Sequence, residues 1–261
     1  MFDSIGCDVE VFGFDPKIKK HKSLCGLIGG TKEKPKQLTG LPKGFCVQED
    51  NVSLEWNIPP SSSLNEWKSY VTTIMQKSRD ILKNQNLIMS NKSSVSFDKN
   101  ELLHPNALVF GCEPDYDAWK KLENSKPICD NPALRTAGGH IHVGTDLNML
   151  DGIKAMDLYL GVPSVLLDDS PEATERRKLY GKAGAMRPKP YGFEYRVLSN
   201  FWVFKEELIE WVYKSTKEAI NTHPKFSIAM SKKIQDCINK GDKDAAKSII
   251  EHYGLTLPVI S

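Results

Sequence analysis

Four short stretches of this chain alternate polar and apolar residues, and in each the polar positions carry side chains suited to chemistry. Asp8 and Glu10 flank Val9 in IGCDVEVFGF; Asn51, Ser53, Glu55 and Asn57 interleave with Val52, Leu54, Trp56 and Ile58 in DNVSLEWNIPP; His140 and His142 flank Ile141 in GGHIHVG; Glu194 and Arg196 flank Tyr195 in YGFEYRVLSN. Successive side chains of a strand point to opposite faces, so residues two apart share one. As strands, these segments set glutamates, an aspartate, paired histidines and an arginine on one polar face, while the interleaved residues form an apolar face fit for burial. A solvated sheet face is usually rich in Thr, Lys and Ser. Acidic and imidazole groups gathered on one face point instead to a metal and phosphate site.

The rest of the pattern predicts what surrounds that face. A first strand spans about 4–12, SLCGLIGGTKEKP reads as a strand running into a polar loop, and 45–58 reads as a long strand or two, ended by Pro59 and Pro60. Ser63 and Glu66 match a capping box, and Leu64, Trp67, Val71, Ile74, Met75 and Leu82 follow as a helical stripe. Residues 85–112 read as two or more strands, the last near Asn106 to Cys112. Leu147 to Leu160 and Glu172 to Tyr180 read as helical, and 192–198 as a strand. A helix at about 203–220 and two more near 224–238 and 242–253 follow, with Gly254 as the final stop. Strands early and helices late predict an α+β fold: an antiparallel β-sheet with helices packed on one face.

Each signal has its own chemistry. Oxygen ligands suit hard cations such as magnesium and manganese. Glu10, Glu55 and Glu194, brought together from separate strands, repel one another unless a cation neutralises them. His140 and His142 follow Gly138 and Gly139, which allow backbone or ligand to approach closely, so the pair points to metal or phosphate. The stretch ERRKLYGKAGAMRPKPYGFEYR carries Arg176, Arg177, Lys178, Lys182, Arg187, Lys189 and Arg196 on glycine-punctuated backbone, a cradle for phosphates. It is not a P-loop, because no GxxxxGK[ST] is present.

Composition excludes other classes. A formal net charge of +2 over 261 residues gives no pull toward nucleic acid or membrane. No stretch approaches the ~18 apolar residues of a membrane helix. The N-terminus has no signal-peptide pattern, and the 6 cysteines form no CxxC pair, which predicts reduced thiols and a cytoplasmic location.

Taken together, G-x-D-x-E-x-F at 6–12, GLIGGTKEKP at 26–35, DNVSLEWNIPP at 50–60, FGCEPDYDAW at 110–119, RTAGGHIHVG at 135–144 and YGKAGAMRPKPYGFEYRVLSNFW at 180–202 resemble the phage-type carboxylate–amine ligases. These are amidoligases related to glutamine synthetase and glutamate–cysteine ligase. The resemblance covers most of the chain to about residue 215. It implies one catalytic domain over 1–261, glutamine-synthetase-like, to which a helical tail at about 216–261 adds nothing. It also implies ATP with Mg2+ (or Mn2+), transfer of the γ-phosphoryl group to a substrate carboxylate, and displacement of phosphate from the acyl phosphate by an amine.

By position, the resemblance makes Asp8, Glu10, Glu55, His140 and Glu194 metal ligands, and Glu10, Glu55, Arg187 and Arg196 the catalytic set. It assigns His140, His142, Arg177, Lys182 and Arg196 to the nucleotide. Arg135 is a further phosphate or substrate contact, and Lys32 lies near the acceptor. The expected partners are a small-molecule or peptide carboxylate and an amine, in the cytoplasm of a phage-infected host. The competing readings are a metal-dependent hydrolase using His140 and His142, an ATP-dependent kinase on the same scaffold, and a non-catalytic scaffold.

Overall fold

Strand β1 (Phe2–Asp15) organises the molecule. Its odd-numbered residues Ile5, Cys7, Val9 and Val11 are buried in the main core, and Asp8 and Glu10 occupy the opposite face. In the computed structural model, which describes residues 1–108, 115–125, 129–168 and 170–260, β1 is central to an antiparallel sheet. Past a short strand β2 (Lys20–Lys22) and an edge strand β3 (Lys36–Gln37), the chain forms a hairpin of β4 (Cys46–Asp50) and β5 (Ser53–Asn57) beside β1. The segment SLCGLIGGTKEKP is a loop and not a strand. Glu49 explains this: its carboxylate accepts the backbone N–H groups of Gly26, Ile28 and Gly29, so these amides have no strand partner.

Helix α1 (Leu64–Asn84) starts at Ser63, whose side chain accepts from Glu66 N, and it buries Trp67, Val71, Ile74, Met75 and Leu82. Strand β6 (Ile88–Ser90) pairs with the far end of β1, and β7 (Ser94–Ser96) stands apart from the large sheet. Near Asn106 the chain is helical (α2, Pro105–Leu108), which corrects the strand expected there; residues 109–112, including Cys112, lie outside the described residues, as does the start of FGCEPDYDAW. Short strands β8 (Tyr116–Asp117) and β9 (Leu122–Glu123) close the other edge. Strand β10 (Leu134–Thr136) pairs with β7, and β11 (Gly139–Thr145) lies against β1.

Helix α3 (Met149–Met156) runs through a π-turn at Asp157–Gly161 into α4 (Val162–Leu167), and α5 (Pro171–Leu179) follows. The basic stretch is thus half helix and half hairpin, since β12 (Ala185–Lys189) and β13 (Gly192–Tyr195) pair next to β11. Helices α6 (Glu206–Thr222), α7 (Ile228–Lys240) and α8 (Lys243–Tyr253) end the chain, α8 stopping at left-handed Gly254. Helices α1, α3 and α6 pack on the sheet's apolar face, with α4, α7 and α8 layered beyond them. Trp67 of α1 stacks on Trp202 at 5.5 Å between centroids, and the indole N–H of Trp67 donates to Ile209 O, tying α1 to α6. No described helix is long and apolar enough to cross a membrane. The observed class is the expected one, α+β with helices on one face of an antiparallel sheet.

Candidate functional site

Register brings the polar residues together. Across β1 and β11, Asp8 faces His140 and Gly6 faces His142; across β1 and β5, Glu10 faces Glu55. His142 faces Glu194 on β13, and Glu194 faces Arg187 on β12. The hairpin adds Gln48 opposite Glu55 and Asp50 opposite Ser53. These pairings fall on one face because each strand keeps the two-residue alternation in phase.

At the centre, His140 Nδ1 lies 3.1 Å from Asp8 Oδ1 and 3.5 Å from Glu194 Oε1. One ligand atom from each of Asp8, His140 and Glu194 lies within 4.8 Å of the others, a spacing fit for one metal ion. Burial, with the Arg196 guanidinium alongside, lowers the His140 pKa and favours the neutral ring, the form that ligates a metal. Burial opposes charge on Asp8, yet His142 and His140 beside it hold its carboxyl well below the usual range. Burial and Asp8 likewise work against Glu194, but Arg196, His140 and His142 bring it down to about 2. Arg196 Nη1 donates to Glu194 Oε1; Lys189 Nζ is 3.0 Å and Arg187 Nη1 3.4 Å from Oε2. The structure therefore unites Asp8, His140, Glu194, Arg187 and Arg196 as the sequence led us to expect.

Beside this centre is a second acidic group. Glu55 accepts from Gln48 Nε2 at 2.6 Å, and burial, then Asp8, Asp50 and Glu10, push its carboxyl well up. Burial and Asp50 raise Glu10 to about 8, although Gly138 N donates to its Oε2 at 2.8 Å. Negative charge is thus crowded on this side of the site. Glu10, Asp50, His140 and Arg196 line a cleft of about 870 Å³, counted to its open mouth. Phe12, Val52, Leu134, Tyr180 and Arg176 also line it. A concave cleft with a few convergent polar groups suits a small-molecule ligand.

The glycines before His140 differ in purpose. A Cβ at Gly138 would lie 2.3 Å from His140 Nε2, so the ring folds back over this residue. A Cβ at Gly139 would meet Ser199 O at 2.4 Å and Trp202 Nε1 at 2.6 Å, so that glycine permits backbone packing.

Other expected residues stand elsewhere. Arg177 turns away, donating to Ser164 O between the helices. Lys182 is exposed in the turn before β12 and does not line the cleft. Arg135 borders the cleft, but its guanidinium donates to Asn51 Oδ1 and to the carbonyls of Pro132, Leu134 and Ala107, so it braces the wall. Asn51 is in the left-handed hairpin turn (φ 54°) rather than on the strand face. His142 reaches the cluster from its edge: its Nε2 is 3.1 Å from Asp8 Oδ2, and its Nδ1 is 2.6 Å from the Tyr191 hydroxyl. Lys32 lies close enough to Asp50 to lower that carboxyl, against a larger rise from burial.

Sequence reading missed Asp50 and Gln48, and it placed Arg176 in a phosphate cradle rather than in a buried wall. The first two share the parity of Glu55 across the hairpin, so carrying the alternation back through CVQED finds them. Arg176 carried no such signal: it is buried under Gly181 and donates to the carbonyls of Val197 and Leu198. The remaining histidines are remote. His21 packs among Phe12, Phe14 and Phe97, His104 bonds Asn106 N, His223 ends α6, and His252 packs on Tyr253.

No curated protein matches the chain. Residues 132–257 match the family model described as Phage phiEco32-like COOH.NH2 ligase-type 2. The match begins after the first four blocks of the resemblance and runs on through α6, α7 and α8, so it takes in nearly all of the helical tail. It includes β11, β12 and β13 with His140, Arg187, Glu194 and Arg196, so this stretch of the chain is similar to the phage-type carboxylate–amine ligases.

Proposed function

We propose that this protein is an ATP-dependent ligase that joins a carboxylate to an amine through an acyl phosphate. The convergence of Asp8, His140 and Glu194 carries the reading, since two carboxylates and a neutral imidazole in a buried cluster are a donor set for Mg2+ or Mn2+. Asp8, His140 and Glu194 would hold the ion. When bound, such ions offset the negative charge of phosphoryl groups during transfer.

The chain's own residues supply the rest. Arg187, Lys189 and Arg196 crowd one carboxylate, Glu194, and so leave positive charge to receive phosphate oxygens. The cleft next to Glu10, Asp50 and Arg196 has room for the acid and the amine. Asp50 and Glu10, once ionised, would attract an ammonium there, and Phe12, Leu134 and Tyr180 give the cleft apolar walls.

Magnesium-dependent phosphate release from ATP, assayed with a pool of carboxylates and amines, tests the proposal. Release that needs both an acid and an amine supports it. Release with an acid alone, leaving a stable phosphorylated product, would make the protein a kinase. Absence of ATP binding would refute the nucleotide reading.

A further inference from the structure

Tyr191 stands in the turn between β12 and β13, about half exposed, with its ring near-parallel to that of His142 (21° between planes, centroids 6.2 Å apart). Its hydroxyl is 2.6 Å from His142 Nδ1. The other ring nitrogen, Nε2, is buried, has no well-aligned hydrogen bond and lies 3.1 Å from Asp8 Oδ2. A lone pair on Nε2 facing a carboxylate oxygen at that distance would be repelled, so a neutral ring carries its proton on Nε2. Nδ1 is then the acceptor, and the tyrosine hydroxyl the donor.

We propose that Tyr191 is a positioning residue for Asp8. By donating to His142 Nδ1 it fixes the tautomer whose Nε2–H faces Asp8 Oδ2, and this holds the carboxylate so that Oδ1 stays beside His140. His142 is thereby a support of the metal-binding carboxylate and not a ligand itself. A Tyr–His–Asp chain of this kind orients a ligand as outer partners do in other metal sites. The inference rests on the metal reading of Asp8, His140 and Glu194.

The test uses the full chain with Mn2+ alone, followed by calorimetric titration and electron paramagnetic resonance, and 15N NMR of the histidine rings. Tyr191→Phe keeps the ring and removes the hydroxyl. We expect its Mn2+ Kd to rise about tenfold, the low end for loss of an outer partner, with the melting temperature unchanged. We also expect His142 to shift from the Nε2–H form to a mixture of tautomers. Unaltered Mn2+ affinity in Tyr191→Phe, or a His142 that carries its proton on Nδ1 or on both nitrogens in the parent protein, overturns the inference and leaves the metal reading in place. Failure of the parent protein to bind Mn2+ overturns both.

Discussion

Gly138→Ala separates the site from the fold. The added Cβ would lie 2.3 Å from His140 Nε2, 2.8 Å from Cε1 and 3.0 Å from Cδ2. Carbon contacts settle near 3.5 Å, so the ring must swing by roughly 1 Å. The atoms met belong to a side chain rather than to backbone, and Gly138 has no positive φ, so the backbone tolerates alanine. The site does not tolerate the swing. Metal–ligand distances hold within about 0.2 Å, so a displacement of that size removes His140 as a ligand. Loss of even an outer partner costs about 10–100-fold in metal affinity, and loss of a direct ligand costs at least that. Gly138→Ala should therefore melt close to the parent protein, bind Mn2+ at least tenfold more weakly by calorimetry, and lose magnesium-dependent phosphate release. Parent-like Mn2+ affinity would refute the assignment of His140 to the metal.

Other substitutions distinguish neighbouring roles. Gly139→Ala meets backbone and a buried indole rather than a single imidazole ring, so it should cost about 1–3 kcal/mol of stability in denaturant titration. Glu194→Gln should abolish turnover and also destabilise the fold by about 3–5 kcal/mol, because Arg187, Lys189 and Arg196 lose a buried counter-charge. Glu10→Gln should abolish turnover with an unchanged melting temperature, since burial already favours the uncharged carboxyl and Gly138 N keeps an acceptor. Asp157 is buried behind β13, where burial lifts its carboxyl from 3.8 to about 7 against hydrogen bonds from Trp119 and Tyr195. The folded state then binds more protons than the unfolded one between these values, so stability should fall as pH rises from about 4 to about 7. Asp157→Asn should remove this slope in melting temperature; an unchanged slope would contradict the assignment.

The polar face was legible because strand alternation is a local property. Asp8, Glu10, Glu55, His140, Glu194 and Arg196 each followed from a run of a few residues whose apolar partners had to be buried. The α1 start was equally local, since Ser63 caps it directly. The basic stretch was not legible. Arg176, Arg177 and Arg187 sit within one run, yet α5 buries Arg176 under Val197 and Leu198, turns Arg177 to Ser164, and leaves only Arg187 to a strand register that meets Glu194. The SLCGLIGGTKEKP loop misled for a similar reason: its amides are claimed by Glu49, more than twenty residues away for two of them.

What the sequence determined by itself is which residues can share a face and that this face is acidic, because a side chain's parity along a strand needs no knowledge of the partner strand. Only the tertiary structure decided which acids meet which bases. Antiparallel register puts Asp8 against His140 and Glu194 beside Arg187, while the hairpin brings Asp50 and Gln48 to Glu55. These contacts join segments far apart in the chain, and their charges and protonation follow from burial and proximity, which exist only once the strands are paired.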